Sequence, residues 1–502
     1  MMTGGLWVLL PAVVALVTIV WTRKAAISLF AAVVVGVLML HGGDPIVSSK
    51  ALFVDYLFPA LSGPWHMGPI VFTLVLGSFA HVLERSGGFS VMLGAWLNKP
   101  SADIQRRSLL SVYGLGLVCF FDGLANAILV GRVARPVTDR LKISRQLLAY
   151  IVDSTSSAVA CIAFISTWIA TQLSLIQEGI NGSGVDVGAV ELYIYSIPAN
   201  PYCWMVLWLL LLVIWRSWWI GPMKHYQSER QSAEEEPASE ELDKDSTSRS
   251  VVIPLLSILL AVPSMIYLWQ DGAERSWGNA FSSSSVPQAM VAGGFISLLI
   301  ACLFFPSSRK KELPKYLAEG AAGMLPALVI LVLAWSLGSV FKDLQVAQLI
   351  TSLLGGQLSL AWLPFVVFLI GALTSFMTGS SWGTMGILMP LALPIAVEMG
   401  SELPAENLLV ILPVLIGAVF GGAVFGDNCS PFSDTTIVTS LATGCSPSSH
   451  VSTQLPYALI AAVAATFGYA LMAIGVTAWA ATLTLAVVLA VGVLWGTKDQ
   501  TR

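Results

Sequence analysis

The sequence predicts an all-α polytopic membrane protein with about 11 transmembrane spans, two re-entrant hairpins, broken helices and two structural repeats of inverted orientation. Three observations predict it. The 502 residues are 56% hydrophobic and 11% charged, with a mean hydropathy of +0.80, whereas a soluble domain carries roughly 25% charged residues. Apolar runs recur from residue 5 to residue 496, many long enough to cross about 30 Å of hydrocarbon. Four carboxylates, Asp122, Asp153, Asp427 and Asp434, interrupt this oily sequence, each among Gly, Ser, Thr or Asn. A charge at bilayer depth is costly unless it faces a cavity, a partner or an ion. A soluble enzyme is excluded, and passage of something across a membrane is implied.

The elements follow in order. In the first half, apolar segments lie near 5–21, 25–40, 67–84, 107–138, 146–172 and 192–217. The first lacks a basic leader and a small-residue cleavage site, so it reads as a spanning helix and not as a removed signal. The stretch from 224 to 250 is polar and acidic and reads as a flexible linker. The second half offers segments near 251–269, 287–306, 320–341, 361–396, 404–443, 453–473 and 475–496. The segment 404–443 is too long for one simple span and reads as a broken helix or as two elements. The six cysteines form no CxxC pair, which leaves little for a zinc or disulfide reading.

The halves look alike. Met67, Pro69, Val75 and Leu76 match Met324, Pro326, Val332 and Leu333 at one offset of 257. Phe120 and Gly123 match Phe376 and Gly379 at 256, and Asp153, Ser156 and Ser166 match Asp427, Ser430 and Ser440 at 274. Their shared order points to an internal repeat. The expected divisions are 1–223 for the first repeat, 224–250 for the linker, 251–474 for the second repeat and 475–502 for an extra helix and tail.

Basic residues give orientation. Arg85, Lys99, Arg106 and Arg107 precede the segment 107–138, and Arg132, Arg135, Arg140, Lys142 and Arg145 cluster around its end. That segment leaves and returns to one side, as two arms of about 15 residues, which suits a re-entrant hairpin. Glu178, Asp186 and Glu191 lie on the poorly basic side. The N-terminus is then outside, with the linker, Lys498 and Arg502 in the cytoplasm, and the expected location is the cell inner membrane.

The polar interruptions carry the chemistry. Asp122 and Asn126 lie four apart at the first hairpin turn and can offer carboxylate and amide oxygens to a small cation; a buried polar pair is the plainer reading. The second turn, Thr378-Gly-Ser380-Ser381-Trp382-Gly-Thr384, offers hydroxyls and an unwound backbone that suit a ligand, including an anion. Trp382 can seal or stack on a cavity, or simply pack. Asp153, Thr155 and Ser156 form the next cluster. The strongest is Asp427-Asn428-Cys-Ser430-Pro-Phe-Ser-Asp434-Thr435, where Pro431 and Gly426 should break a helix and free carbonyls toward a site. Asp, Ser and Thr also cap helices, and both roles are compatible. Sodium, a hard cation, wants such oxygen ligands, so Asp122, Asp153, Asp427 and Asp434 are the sodium candidates. A poorly hydrated carboxylate holds protons more tightly, and a bound cation opposes this; mutual exclusion of the two gives antiport. Arg132 and Arg135 can clamp an organic carboxylate, though marking topology explains them better, and His81 is a minor proton-path candidate. No dinucleotide fingerprint, Walker sequence or HExxH site occurs, which favours a secondary carrier over a pump.

The stretch from Phe376 through Thr384 to Gly386, together with Gly426 through Asp434 to Thr436, resembles the NhaC family of sodium/proton antiporters. Arg135-Pro-Val-Thr-Asp139 and Leu148 through Asp153 to Thr155 are similar to its longer members. The resemblance implies exchange of sodium or lithium for protons, a place in a wider ion-transporter superfamily with inverted repeats and re-entrant hairpins, and a homodimer. It carries Thr378, Ser380, Ser381, Asp427, Asn428, Ser430 and Asp434 as family motif positions. The expected cargo is sodium and protons, with no further cofactor and no nucleic-acid partner. Some relatives exchange malate for lactate, so an organic-anion carrier coupled to sodium or protons is the alternative; a channel is a third class, which the broken, repeated helices disfavour.

Overall fold

A computed structural model describes residues 5–97, 103–181, 187–232, 245–271, 275–354, 358–401 and 403–498. The central linker residues 233–244, with Lys99, Asp186 and Arg502, lie outside them. The first half contains α1 (Leu10–Thr22), α2 (Ala25–Leu40), α3 (Pro64–Arg85), α4 (Ile104–Val118), α5 (Gly123–Arg140), α6 (Arg145–Ile162), α7 (Thr167–Ile180) and α8 (Pro201–Arg216). The second half repeats this order as α9 (Arg249–Leu268), α10 (Val286–Leu303), α11 (Leu325–Asp343), α12 (Leu363–Thr378), α13 (Ser381–Met399), α14 (Ala405–Cys429), α15 (Asp434–Thr443) and α16 (Pro447–Ala473). A last helix, α17 (Ala478–Lys498), has no counterpart. Among the described residues, ten helices are long and apolar enough to cross a membrane. The number is eleven if the pair α6–α7, bent by 43°, counts as one span.

Local chemistry sets the breaks. The tight turn between α12 and α13 uses Gly379 at φ +68°, a conformation that favours glycine. Ser380 then caps α13 by accepting from Gly383 N. In the first half, Asp122 does the same for α5, accepting from Ala125 N. The expected hairpin at 107–138 is therefore α4–α5, and the expected run 361–396 resolves into the hairpin α12–α13. The ambiguous stretch 404–443 is a broken helix: α14 ends at Cys429, Ser430 is extended, and Pro431 has no N–H to continue the ladder.

Two sequence expectations are corrected. The stretch taken as linker from residue 224 begins inside a helix, Pro222–Ser232. Asp153, expected at an interruption, lies in the middle of the continuous helix α6. The first-half break comes later, at Ala163–Ser166, where Ser166 caps α7 as the extended Ser433 precedes α15. Structurally, Ser166 therefore corresponds to Ser433, not Ser440. Short polar side chains that bond back to their own helix leave an α-helix intact, so a polar cluster alone did not locate the break.

The halves interlock reciprocally. α2 packs on α11 and α10 on α3; α7 packs on α13 and α15 on α5; α8 packs on α14 and α16 on α6. α12 packs closely on α14, where Gly422 and Gly426 let the two backbones approach. The breaks in α6–α7 and α14–α15 therefore border the shared interior, with Ser166, Ser430 and Ser433 buried and Pro431 and Phe432 exposed.

Candidate functional site

Each hairpin tip docks on the helix break of its own half. In the first half, Thr167 N donates to Phe121 O (2.9 Å) and Thr167 Oγ1 to Asp122 Oδ2 (2.7 Å). In the second, Gly379 lies so close to Phe432 that an added Cβ would sit 2.5 Å from its carbonyl carbon. Trp168, in the first turn of α7, meets Trp382, in the first turn of α13, with ring centroids 5.7 Å apart. The two tips and two breaks thus converge.

Asp427 is the hub. It is buried in the last turn of α14. Its Oδ1 accepts from Ser433 Oγ at 2.8 Å, and its Oδ2 accepts from Ser157 Oγ, a residue of the other half. The hydroxyls of Thr435 and Thr436 donate across the break to its main-chain carbonyl, each at 3.2 Å. Asn428 Nδ2 donates to the Asp153 carbonyl at 3.1 Å, and Tyr202 OH approaches Asn428 Oδ1 at 3.4 Å. Oxygen atoms from both halves therefore surround one carboxylate.

Asp153 stands beside this hub with different partners. Gln454 Nε2 donates to its Oδ2 at 2.7 Å, and His450 Nε2 lies 3.5 Å from the same atom. Asp153 Oδ1, Gln454 Oε1 and both ring nitrogens of His450 are buried without a hydrogen-bond partner among the described residues. Unpaired buried polar atoms are uncommon and mark a place for water or an ion. A narrow void next to them, lined by Tyr150, Ser154, Tyr202, Asn428, Gln454 and Tyr457, has room for about one water.

The remaining residues sort by position. Asn126 Nδ2 donates to Gly116 O at 2.8 Å across the first hairpin, and its Oδ1 is buried and unpartnered among the described residues. Thr155 and Ser156 donate to the carbonyls of Ile151 and Asp153 in their own helix. Thr378 accepts from Ser380 N, Thr384 donates to Ser380 O, and Ser381 is buried in the same turn. Ser430 accepts from Phe432 N. Asp434 is exposed, between Ser433 and Thr435, whose hydroxyls turn inward to Asp427. Arg132 pairs with Glu84 at 3.8 Å, Arg135 pairs with Asp139 at 3.8 Å, and His81 lies between Glu84 and Glu319. Among the described residues, no group of three or more His, Cys, Asp or Glu side chains is arranged to hold a metal ion; around Asp427 the fold gathers hydroxyl, amide and carbonyl oxygens.

Sequence reasoning missed Ser157, Thr167, Ser433, His450 and Gln454. Ser157 and Ser433 sit inside recognised clusters. His450 and Gln454 left a usable signal, two polar side chains four apart on a mostly apolar helix.

A profile of the Na+/H+ antiporter family matches residues 159–474, which spans both helix breaks and the second hairpin. The chain belongs to the Na+/H+ antiporter family. This member is 31% identical over 480 residues to a functionally uncharacterised protein of Haemophilus influenzae, covering 93% of this chain and 91% of that one. It is 29% identical over 180 residues, 35% of either chain, to the malate-2H(+)/Na(+)-lactate antiporter of Bacillus subtilis. In fold it is similar to the YdaH transporter of Alcanivorax borkumensis, with a TM-score of 0.60 at 16% identity over 90% of each chain. The antiporter family and the helix-rich architecture make it a multi-pass membrane transporter and not an enzyme.

Proposed function

We propose that this protein exchanges sodium or lithium for protons across the cytoplasmic membrane by alternating access, with its N-terminus outside and as a homodimer. One observation carries the reading: the buried Asp427 carboxylate lies at a helix break and is shared by hydroxyls from both halves. A monovalent hard cation is suited to such a shell of Asp427, Ser157, Ser433 and main-chain oxygens, with Asp122 and Asn126 forming a related first-half site. A cation or a proton can neutralise the same carboxylate, and each displaces the other.

The test uses protein reconstituted in vesicles loaded at acid pH. External sodium should collapse the pH gradient without any organic substrate; a gradient that sodium leaves intact, with correctly inserted protein, would sink the proposal. Partial similarity to a malate–lactate antiporter supports the second reading, an organic-anion exchanger. That reading requires sodium flux to depend on added carboxylate.

Asp434 provides a contrast within one motif. Because its side chain is exposed, Asp434→Asn should change the half-saturating sodium concentration by less than about threefold, on the order of a surface charge effect. A loss as large as that for Asp427→Asn would place Asp434 in the site.

A further inference from the structure

We propose that His66 and Glu178 form a proton-operated latch between the first turn of α3 and the far end of α7. The inference leans on the transport reading only for its effect on flux. His66 Nδ1 lies 2.8 Å from Ser62 O. A carbonyl oxygen can only accept, so Nδ1 carries the hydrogen. The other nitrogen, Nε2, faces Glu178 Oε2 at 3.7 Å. The neutral ring therefore presents a lone pair to a carboxylate. The protonated ring presents an N–H, and the same contact turns from repulsive to attractive. The ring also lies against Trp335 of α11, with centroids 4.4 Å apart, an aromatic neighbour that a cationic ring can contact.

The position gives the latch leverage. Ser174 Oγ donates to Trp65 O at 2.9 Å, a fixed peg one turn from Glu178. From Glu178, α7 runs about 17 Å back to Thr167, which holds Asp122, and Trp168, which meets Trp382. Glu178 also lines a cavity of about 170 Å³ with Lys342 of α11 and Glu398 of α13. Other titratable groups on the surrounding elements are Asp55 and Tyr56 before α3 and Asp343 of α11. Tyr56 OH donates to Asp343 at 2.8 Å. Among the described residues, Glu178 is the carboxylate within ion-pair reach of His66. Protonation thus fastens the last turn of α7, beyond the Ser174 peg, to α3, and deprotonation removes that second tie.

The attraction is present while the ring is protonated and is lost as pH rises through the histidine range, about pH 5 to 8. Hydrogen–deuterium exchange of the whole reconstituted protein tests this without transport. After correction for intrinsic rates, amides in the last turns of α7 should lose about 3- to 10-fold protection across that range. His66→Gln and Glu178→Gln should show the low-protection state throughout, and His66→Lys the high-protection state throughout. A full pH step surviving in both His66→Gln and His66→Lys overturns the latch. Sodium–proton exchange, measured on the same samples, separates the outcomes. An absent exchange with the expected protection steps removes the transport reading and leaves the latch standing.

Discussion

Asp427→Asn lowers sodium-driven proton movement by about 30–150-fold, while the protein still inserts and folds. The size follows from the site. Two hydroxyls donate to this carboxylate, one from each half of the chain, and a hydrogen bond to a charged group contributes about 1.5–3 kcal/mol. Losing about 2–3 kcal/mol of cation binding corresponds to that factor. The amide keeps the shape but carries no charge, so neither cation nor proton is compensated there. The measurement is the initial rate of pH-gradient collapse against sodium concentration in vesicles, normalised to inserted protein. A rate within threefold of wild type would move the site elsewhere. Ser157→Ala, which removes only the donor from the opposite half, should cost less, about 12-fold, from the low end of that range at about 1.5 kcal/mol.

Gly426→Ala destabilises the folded protein by about 3 kcal/mol and abolishes exchange with it. A Cβ at Gly426 would stand 2.1 Å from the carbonyl carbon of Ser375 and 2.3 Å from Phe376 N, backbone atoms of α12 that cannot rotate away. Both helices must separate, and their crossing carries the second hairpin and the break beside Asp427. Gly492→Ala in α17 is the control. Nothing lies within 4 Å of its added methyl group, and alanine is the better helix former by about 1 kcal/mol. Thermal denaturation of the purified protein should place the first variant several degrees below wild type and the second at or slightly above it. Equal midpoints for the two variants would mean that the α12–α14 crossing is looser than described.

Much of this architecture was legible in the residues. Apolar length showed the spans, and basic residues before and around the end of 107–138 showed a chain that doubles back. Pro431 showed a break, because it removes a donor; Gly426 did not, since it stays helical inside α14 and instead makes room for α12. The site was legible where composition changed abruptly, as from Asp427 to Asp434. It was misleading where hydroxyls satisfy their own helix. Thr155 and Ser156 look like ligands in sequence, yet their hydrogens return to Ile151 and Asp153. Burial was the other hidden quantity. Asp427 and Asp434 lie in one motif, but the turn of chain between them puts one inside and the other at the surface. His450 and Gln454 meet Asp153 across some 300 positions of sequence, a distance that only tertiary packing spans.

Ser157 and Asp427 come from opposite halves of the molecule yet hold one another directly. Any excursion that slides one half past the other tears this handclasp and scatters the oxygens proposed to cradle the cargo. An excursion that carries both kinked helices as a single body keeps the cradle whole from one face of the bilayer to the other, so the hinges belong at the seams around that body and not down its middle.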